Sequence, residues 1–357
     1  LIRLGFCSCY SDDTMSDIVY ADVTDNQFSD FYLDEGGIVR INGHYAEVNF
    51  SNNSFDNSYV DDGGVLRIGH MDESDGVIAT QVKAVIRGND IQDVSPDYGG
   101  VFRIAALDQV DADVQDNVVT GNAGGAIRIG TWCSNRSLLA SSVNATVKGN
   151  TLNQNEAFGI YIDASELLEG TVSGNNITNT ERCGSEYEGA AIQVGAPTTN
   201  DLIINYNTFE NNNYGLLLTG PSDGEPLEAS LNYWGDQAGP SGTDSDGDGD
   251  LAEGNAIIEP WITSAAFSQG SIGMYTNATT LPAIILNTKN IAGEIGSVTA
   301  PDGSITLVSS NSDVVTVISG NTLKAVSLGT AVITANVADL PTLTVTVTNG
   351  SRRGNDD

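Results

Sequence analysis

The sequence predicts an all-β chain: a rod of short stacked coils followed by a small β-sandwich. Three observations carry this reading. A glycine stretch, GGIVRI at Gly36–Ile41, returns as GGVLRI at Gly63–Ile68, GGVFRI at Gly99–Ile104 and GGAIRI at Gly124–Ile129. Each copy is accompanied by an alternating apolar–polar stretch that ends in Asn-X-apolar, the pattern of a strand buried on one face. Helix caps and 3.6-residue periods are missing throughout. An internal repeat of this length decides the architecture, because a unit so short cannot bury its own apolar face and has to stack.

The repeat starts at once, with Leu1-Ile2-Arg3-Leu4 inside a copy, which points to a processed or partial chain. The strand stretches place Asn26, Asn53, Asn89, Asn117, Asn150, Asn175 and Asn207 at one repeat position, with successive differences of 27, 36, 28, 33, 25 and 32. The unit is therefore about 25 residues, with insertions of variable length. Later glycine stretches drift to Phe158–Ile162, Ala190–Val194 and Tyr214–Leu218. The period, the Asn-X-apolar turn and the glycines together resemble the right-handed parallel β-helix repeat of the pectate-lyase-like superfamily, over residues 1–262. That resemblance implies about eight coils at ~4.8 Å spacing, a rod roughly 40 Å long. The equivalent asparagines are expected to form a ladder whose amides bond one another and the turn backbone, a structural role. The fold hosts lyases, hydrolases, epimerases, adhesins and fibres, so it implies no single activity.

The rod is expected to end at Leu231-Asn232-Tyr233-Trp234-Gly235, running on to Gly239-Pro240 and Glu259-Pro260-Trp261. This is similar to the ending of bacterial and archaeal surface β-helix proteins, and implies that Trp234 and Trp261 cap the open core and shield bare strand edges. Residues 263–282, rich in Ser, Gly, Ala and Thr, read as a linker. Beyond them short alternating strands are separated by turns such as Pro301-Asp302-Gly303, the pattern of a small sandwich over 283–349. The run from Ser309 to Ala335 resembles the bacterial Ig-like group 2 domain, although the tryptophan often found before the Ser-Ser-Asn segment is missing. Residues 350–357, with Arg352-Arg353, read as a tail.

Charge narrows the partners. The net charge is −33, with only 14 Lys+Arg against 47 Asp+Glu. Such a surface repels nucleic acid and anionic lipid and attracts divalent cations. No apolar run reaches the ~18–20 residues of a membrane span. The four cysteines form no CxxC pair. In a secreted protein an even number points to disulfides. Three connectivities are open, with Cys133–Cys183 and Cys7–Cys9 the preferred pairing and four buried thiols the plain alternative.

Two groups of residues carry chemistry. Asp244, Asp246, Asp248 and Asp250 alternate with small residues, with Glu253 close by; hard oxygen ligands at this density match the start of a calcium loop. The twelfth position is Asn255, so the bidentate closing ligand is missing or replaced, and the alternative is a solvated acidic loop. The calcium would be structural. The second group is Arg3, Arg40, Arg67, Arg103 and Arg128, one repeat position between two inward residues. Strand alternation turns this column outward and in register. Stacked like charges need neutralising, and Asp34, Glu35, Asp61, Asp62 and Asp97 stand just upstream. The plain reading is a salt-bridged ladder; the sharper one is an open groove for an anionic glycan or an acidic partner, since the arginine fork fits carboxylate and sulfate. His44 and His70 follow two of these arginines, and Asp108, Asp111, Asp113 and Asp116 cluster, but neither set forms a convincing catalytic motif.

These readings converge on a non-enzymatic, extracellular or cell-surface protein, a stalk with an Ig-like module acting as adhesin, filament or sheath subunit. Its expected partners are other copies of itself, other surface proteins or polysaccharide. A polysaccharide lyase or hydrolase is the rival reading, and a non-catalytic glycan binder the third.

Overall fold

The structure, a computed structural model, describes residues 2–7, 14–33, 37–60, 64–69, 79–96, 100–131, 139–183, 188–195, 197–219, 225–242, 245–318 and 321–349, with only the backbone of 6, 7, 14, 15, 245 and 246. Every element among them is a β-strand. The rod is built from three long sheets of eleven, nine and eight strands. In each, neighbouring strands come from successive coils and run parallel, apart from one antiparallel pair, Pro240–Gly242 with Ser245–Asp246, at the end of the eleven-stranded sheet. Gln81–Arg87, for example, lies in unbroken register between Tyr45–Ser51 and Gln109–Gln115. The strict alternation of the sequence fixes that register, because a one-residue slip would turn Val82, Ala84 and Ile86 out of the core.

Each coil has two tight turns of one design. A residue in the left-handed region is followed by one that, in most coils, is polar and bonds the coil beside it through its side chain. At the first turn the left-handed residues include Asp25, Asn52, Asp116, Tyr206 and Leu231. The residue after each is an asparagine, the expected one in every case but Leu231. Asn89 shows the pattern: its Nδ2 donates to Asn117 Oδ1 at 2.8 Å and to Phe50 O at 2.9 Å, and its backbone N–H donates to the same Oδ1 at 3.1 Å. The ladder runs from Asn26 through Asn53, Asn89, Asn117, Asn150, Asn175 and Asn207 as the repeat predicts. It then gains one more rung at Asn232, to which Asn207 Nδ2 donates at 3.0 Å. A buried amide costs little when all its donors and acceptors are used in this way.

The second turn carries a ladder that the repeat did not announce. Left-handed Asp30, Asn57, Asp93, Gln154, Asn179 and Asn211 precede Phe31, Ser58, Val94, Asn155, Thr180 and Asn212. Phe31 N donates to Ser58 Oγ, Val94 N to Asn122 Oδ1, and Asn122 Nδ2 to Asn155 Oδ1. Farther along, Thr180 N donates to Asn212 Oδ1. The Thr180 hydroxyl is buried and makes no hydrogen bond among the described residues, so the side-chain ladder is interrupted at that rung. Asp250 ends it: its carboxylate accepts from Asn212 Nδ2 at 2.6 Å and from Asn212 N at 3.1 Å.

Trp234 and Trp261 close the rod core, as the sequence predicts; Trp234 is fully buried against Phe209 at 5.0 Å between ring centroids. Their neighbours do something the sequence did not show. Tyr233 and Ile262 belong to the second core, that of the C-terminal domain. Alternate residues of the same two segments thus enter different cores, because successive side chains of a strand point to opposite faces.

The expected linker at 263–282 is therefore corrected. Trp261–Phe267 pairs with Ile284–Lys289, and Ser271–Tyr275 runs parallel to Thr342–Thr348. The small Ser, Ala and Gly residues that read as a linker are strand residues of the C-terminal domain. That domain consists of small sheets of three, four and three strands, mostly antiparallel, a β-sandwich around Leu286, Ile333 and Val345. It packs on the flank of the rod. Ala338 N donates to Thr208 Oγ1 at 3.2 Å, and Tyr206 packs against the sandwich core. Glycine makes room for it: a Cβ at Gly149 would lie 2.6 Å from Thr306 Oγ1, and one at Gly174 would lie 2.7 Å from Ser304 O. Both glycines sit at the left-handed turn position that Asp25, Asn52 and Asp116 hold in other coils.

Candidate functional site

The arginine column is in register as predicted: Arg3 pairs with Arg40, Arg40 with Arg67, Arg67 with Arg103 and Arg103 with Arg128. Its environment corrects the expectation of an open basic groove. Arg40, Arg67, Arg103 and Arg128 are 7, 0, 3 and 1 % exposed, and only Arg3 at the rod end faces solvent. Their flanking residues fill the core, so each strand is buried on both sides. All four are engaged by neighbours. The acidic residues expected to neutralise them, Asp34, Glu35, Asp61, Asp62 and Asp97, lie outside the described residues.

The drift of the repeat after Arg128 has a physical purpose. The guanidinium carbon of Arg128 sits 4.9 Å from the Phe158 ring centroid and 5.4 Å from that of Tyr161. The two rings meet edge to face at 5.8 Å. This aromatic pair ends the column, with cation–π attraction to a desolvated guanidinium. The Phe158 ring lies flat over Gly125, where a Cβ would be 2.1 Å from it. The second glycine of the GGAIRI copy is thus the floor of a trough that the ring fills. Tyr161 continues to Asp163, fully buried, by a hydrogen bond of 3.3 Å from its hydroxyl.

A second outward column remains in water. On the nine-stranded sheet Tyr20, Glu47, Lys83, Asp111, Asn144, Glu169 and Asp201 stand in register. Near its start Lys83 Nζ donates to Glu47 Oε1 at 2.8 Å, the Tyr45 hydroxyl donates to Glu47 Oε2 at 3.2 Å, and Asn49 Nδ2 donates to Asp22 Oδ1 at 2.9 Å. The lysine hydrogen bond holds the Glu47 carboxyl below its usual range, and Glu47 in turn raises Lys83. Burial, then the charge of Glu47, raises the Tyr45 hydroxyl. Tyr20 meets Tyr45 edge to face at 6.3 Å and is 71 % exposed. Tyr20, Asp22, Glu47, Asn49 and Lys83 border an open depression of about 330 Å³, lined also by Ala21, Val48 and Val85. The strand alternation marks the polar ones as outward, but nothing in the repeat singles them out, because the column changes residue type at each coil.

The acidic loop differs from the expected calcium set. Asp250 turns inward and is spent on Asn212, as described above. Burial pushes its carboxyl up to about 6, against the lowering effect of the Asn212 bonds. Glu253 lies by the Tyr214 hydroxyl, and Asp248 is exposed. Asp244 and the Asp246 side chain lie outside the described residues, and among the described residues no group of three or more His, Cys, Asp or Glu could hold a metal ion. Of the expected ligand set, Asp250 is thus already bonded to Asn212. Cys9 and Cys133 also lie outside the described residues, as does the Cys7 side chain; Cys183 is half-buried against the Phe158 cluster. His44 is exposed, and His70 lies outside the described residues.

Parallel coils stacked in three sheets, with a polar ladder inside each turn, define a β-helix solenoid. Residues 10–194 and 75–229 match the family model described as right handed beta helix region. The two matches together cover more than half of the chain, and the chain belongs to this family. No curated protein matches it.

Proposed function

We propose that the chain is a structural or adhesive protein of the cell exterior, a stiff stalk that presents its lateral faces to partners. The observation that carries this is the junction. Trp234 and Trp261 enter the rod core while Tyr233 and Ile262 enter the sandwich core, so rod and sandwich are braced as one body rather than hinged. A braced solenoid transmits load and holds a surface in fixed orientation. The acidic, lysine-poor surface suits this setting, and we read the sandwich as a bacterial Ig-like group 2 module. Calcium at Asp244, Asp246 and Asp248 forms part of the same proposal; a melting temperature that is the same in calcium and in chelator removes it.

The test is twofold. Antibody labelling of intact producing cells is expected to decorate the surface, and purified protein incubated with alginate, pectate and sulfated glycans in calcium is expected to release no sugar. Label confined to the cell interior, or release of unsaturated or reducing ends, would overturn the reading in favour of an intracellular role or of a lyase or hydrolase.

A further inference from the structure

The cavity beside Tyr20 has the makings of a binding site that the stalk role does not require. Its volume, about 330 Å³, falls within the range of small-ligand sites, ~300–1,000 Å³. Its polar lining offers acceptors on Asp22 and Glu47 and donors on Asn49 and Lys83, the mixed inventory that a polyol needs. An exposed tyrosine ring supplies a flat apolar face with a polar edge. The polar groups are already held in place, Asn49 on Asp22 and both Tyr45 and Lys83 on Glu47. They stand on a sheet whose register continues through the whole rod, so little ordering is left to occur on binding.

Charge selects the ligand. The shelf carries two carboxylates, Asp22 and Glu47, and one ammonium, Lys83, a balance of one negative charge on a molecule of net charge −33. A uronate or sulfated glycan is repelled, while a sugar bearing a protonated amine is attracted and steered. The buried arginine column leaves no open basic face along the described length of the rod to reverse this preference. We propose that the shelf formed by Tyr20, Asp22, Glu47, Asn49 and Lys83 binds amino-sugar glycan, with a sugar ring against Tyr20 and its ammonium toward Asp22.

Isothermal titration of the full chain with a glucosamine hexamer tests this, against an N-acetylglucosamine hexamer, a galacturonate hexamer and hexalysine. The expected result is saturable binding of the glucosamine hexamer alone among the three sugars. Tyr20→Ala should weaken it about three- to tenfold and Asp22→Asn about tenfold. Both positions are exposed, so equal unfolding midpoints for the variants and the parent check that the fold is kept. Binding that hexalysine displaces completely and that survives Tyr20→Ala would be attraction to the overall charge, and would overturn the proposal. So would failure of the glucosamine hexamer to bind, or equal binding of the acetylated or uronate hexamer.

Discussion

Arg67 and Lys83 occupy like places in two sheets. Each is an outward residue within a strand, and each is in register with the coils on either side. Arg67 is fully buried, whereas the Lys83 side chain is 52 % exposed and pairs with Glu47. The difference teaches that an outward position in a β-helix is not a surface position. What covers the outside of the coil decides, not the direction in which the strand residue points. The column that repeats most strictly, Arg through successive coils, is scaffold. The column that varies, from Tyr20 to Asp201, is left open to solvent.

Several substitutions would break or sharpen this contrast. The largest effect is expected inside the coil, at Asn117. Asn117→Ala takes the acceptor from the backbone and amide N–H groups of Asn89 and a donor from the carbonyl of Ile86, all buried, while Asn150 Oδ1 keeps the Asn117 backbone N–H. The cost should be about 4 kcal/mol in urea unfolding, given ~1–3 kcal/mol for each orphaned group and incomplete additivity. A loss below about 1 kcal/mol would mean that the ladder is ornament.

Next comes the inward carboxylate at the rod end. The Asp250 carboxyl is raised in the folded state to about 6 from 3.8, so the folded chain favours its protonated form. Its stabilising contribution is complete below pH 3.8 and is lost as pH rises through about 6, amounting to about 3 kcal/mol across that window. Asp250→Asn should flatten this part of the stability profile and raise the melting temperature at pH 7 but not at pH 4. A profile equally steep in the variant would contradict the assignment.

A gain is predicted at the interrupted rung. Thr180→Asn supplies the amide that the second ladder lacks between Asn155 and Asn212, and should stabilise by about 1 kcal/mol. The smallest effect belongs to the exposed column. Tyr20→Ala should alter stability by no more than about 0.5 kcal/mol, as expected of a surface position. A much larger loss would show that the shelf is scaffold too.

The legibility of the sequence follows the same division. Strict repetition made the coils, the first asparagine ladder and the register of the arginines readable. Strand alternation told which way Arg67 points, but not that it would be buried there. The second ladder escaped because its rungs vary among Ser58, Val94, Asn122, Thr180 and Asp250; the Asn-X4-Asn spacing of Asn117/Asn122, Asn150/Asn155 and Asn207/Asn212 was the available signal. Asn232, 25 residues after Asn207, was hidden within the capping motif. The strand at Trp261–Phe267 was missed because Thr263-Ser264-Ala265-Ala266 has linker composition, and only its partner strand at Ile284–Lys289 gives it a structure.

The central claim is that the repeated outward column is buried scaffold and the variable one is open surface. Urea unfolding of Arg103→Ala beside Lys83→Ala tests it in one experiment. Removing a buried, partnered arginine should cost about 3–5 kcal/mol, and removing one half of an exposed pair no more than about 1 kcal/mol. Equal, small losses for the two variants would contradict the account and return the arginines to the surface.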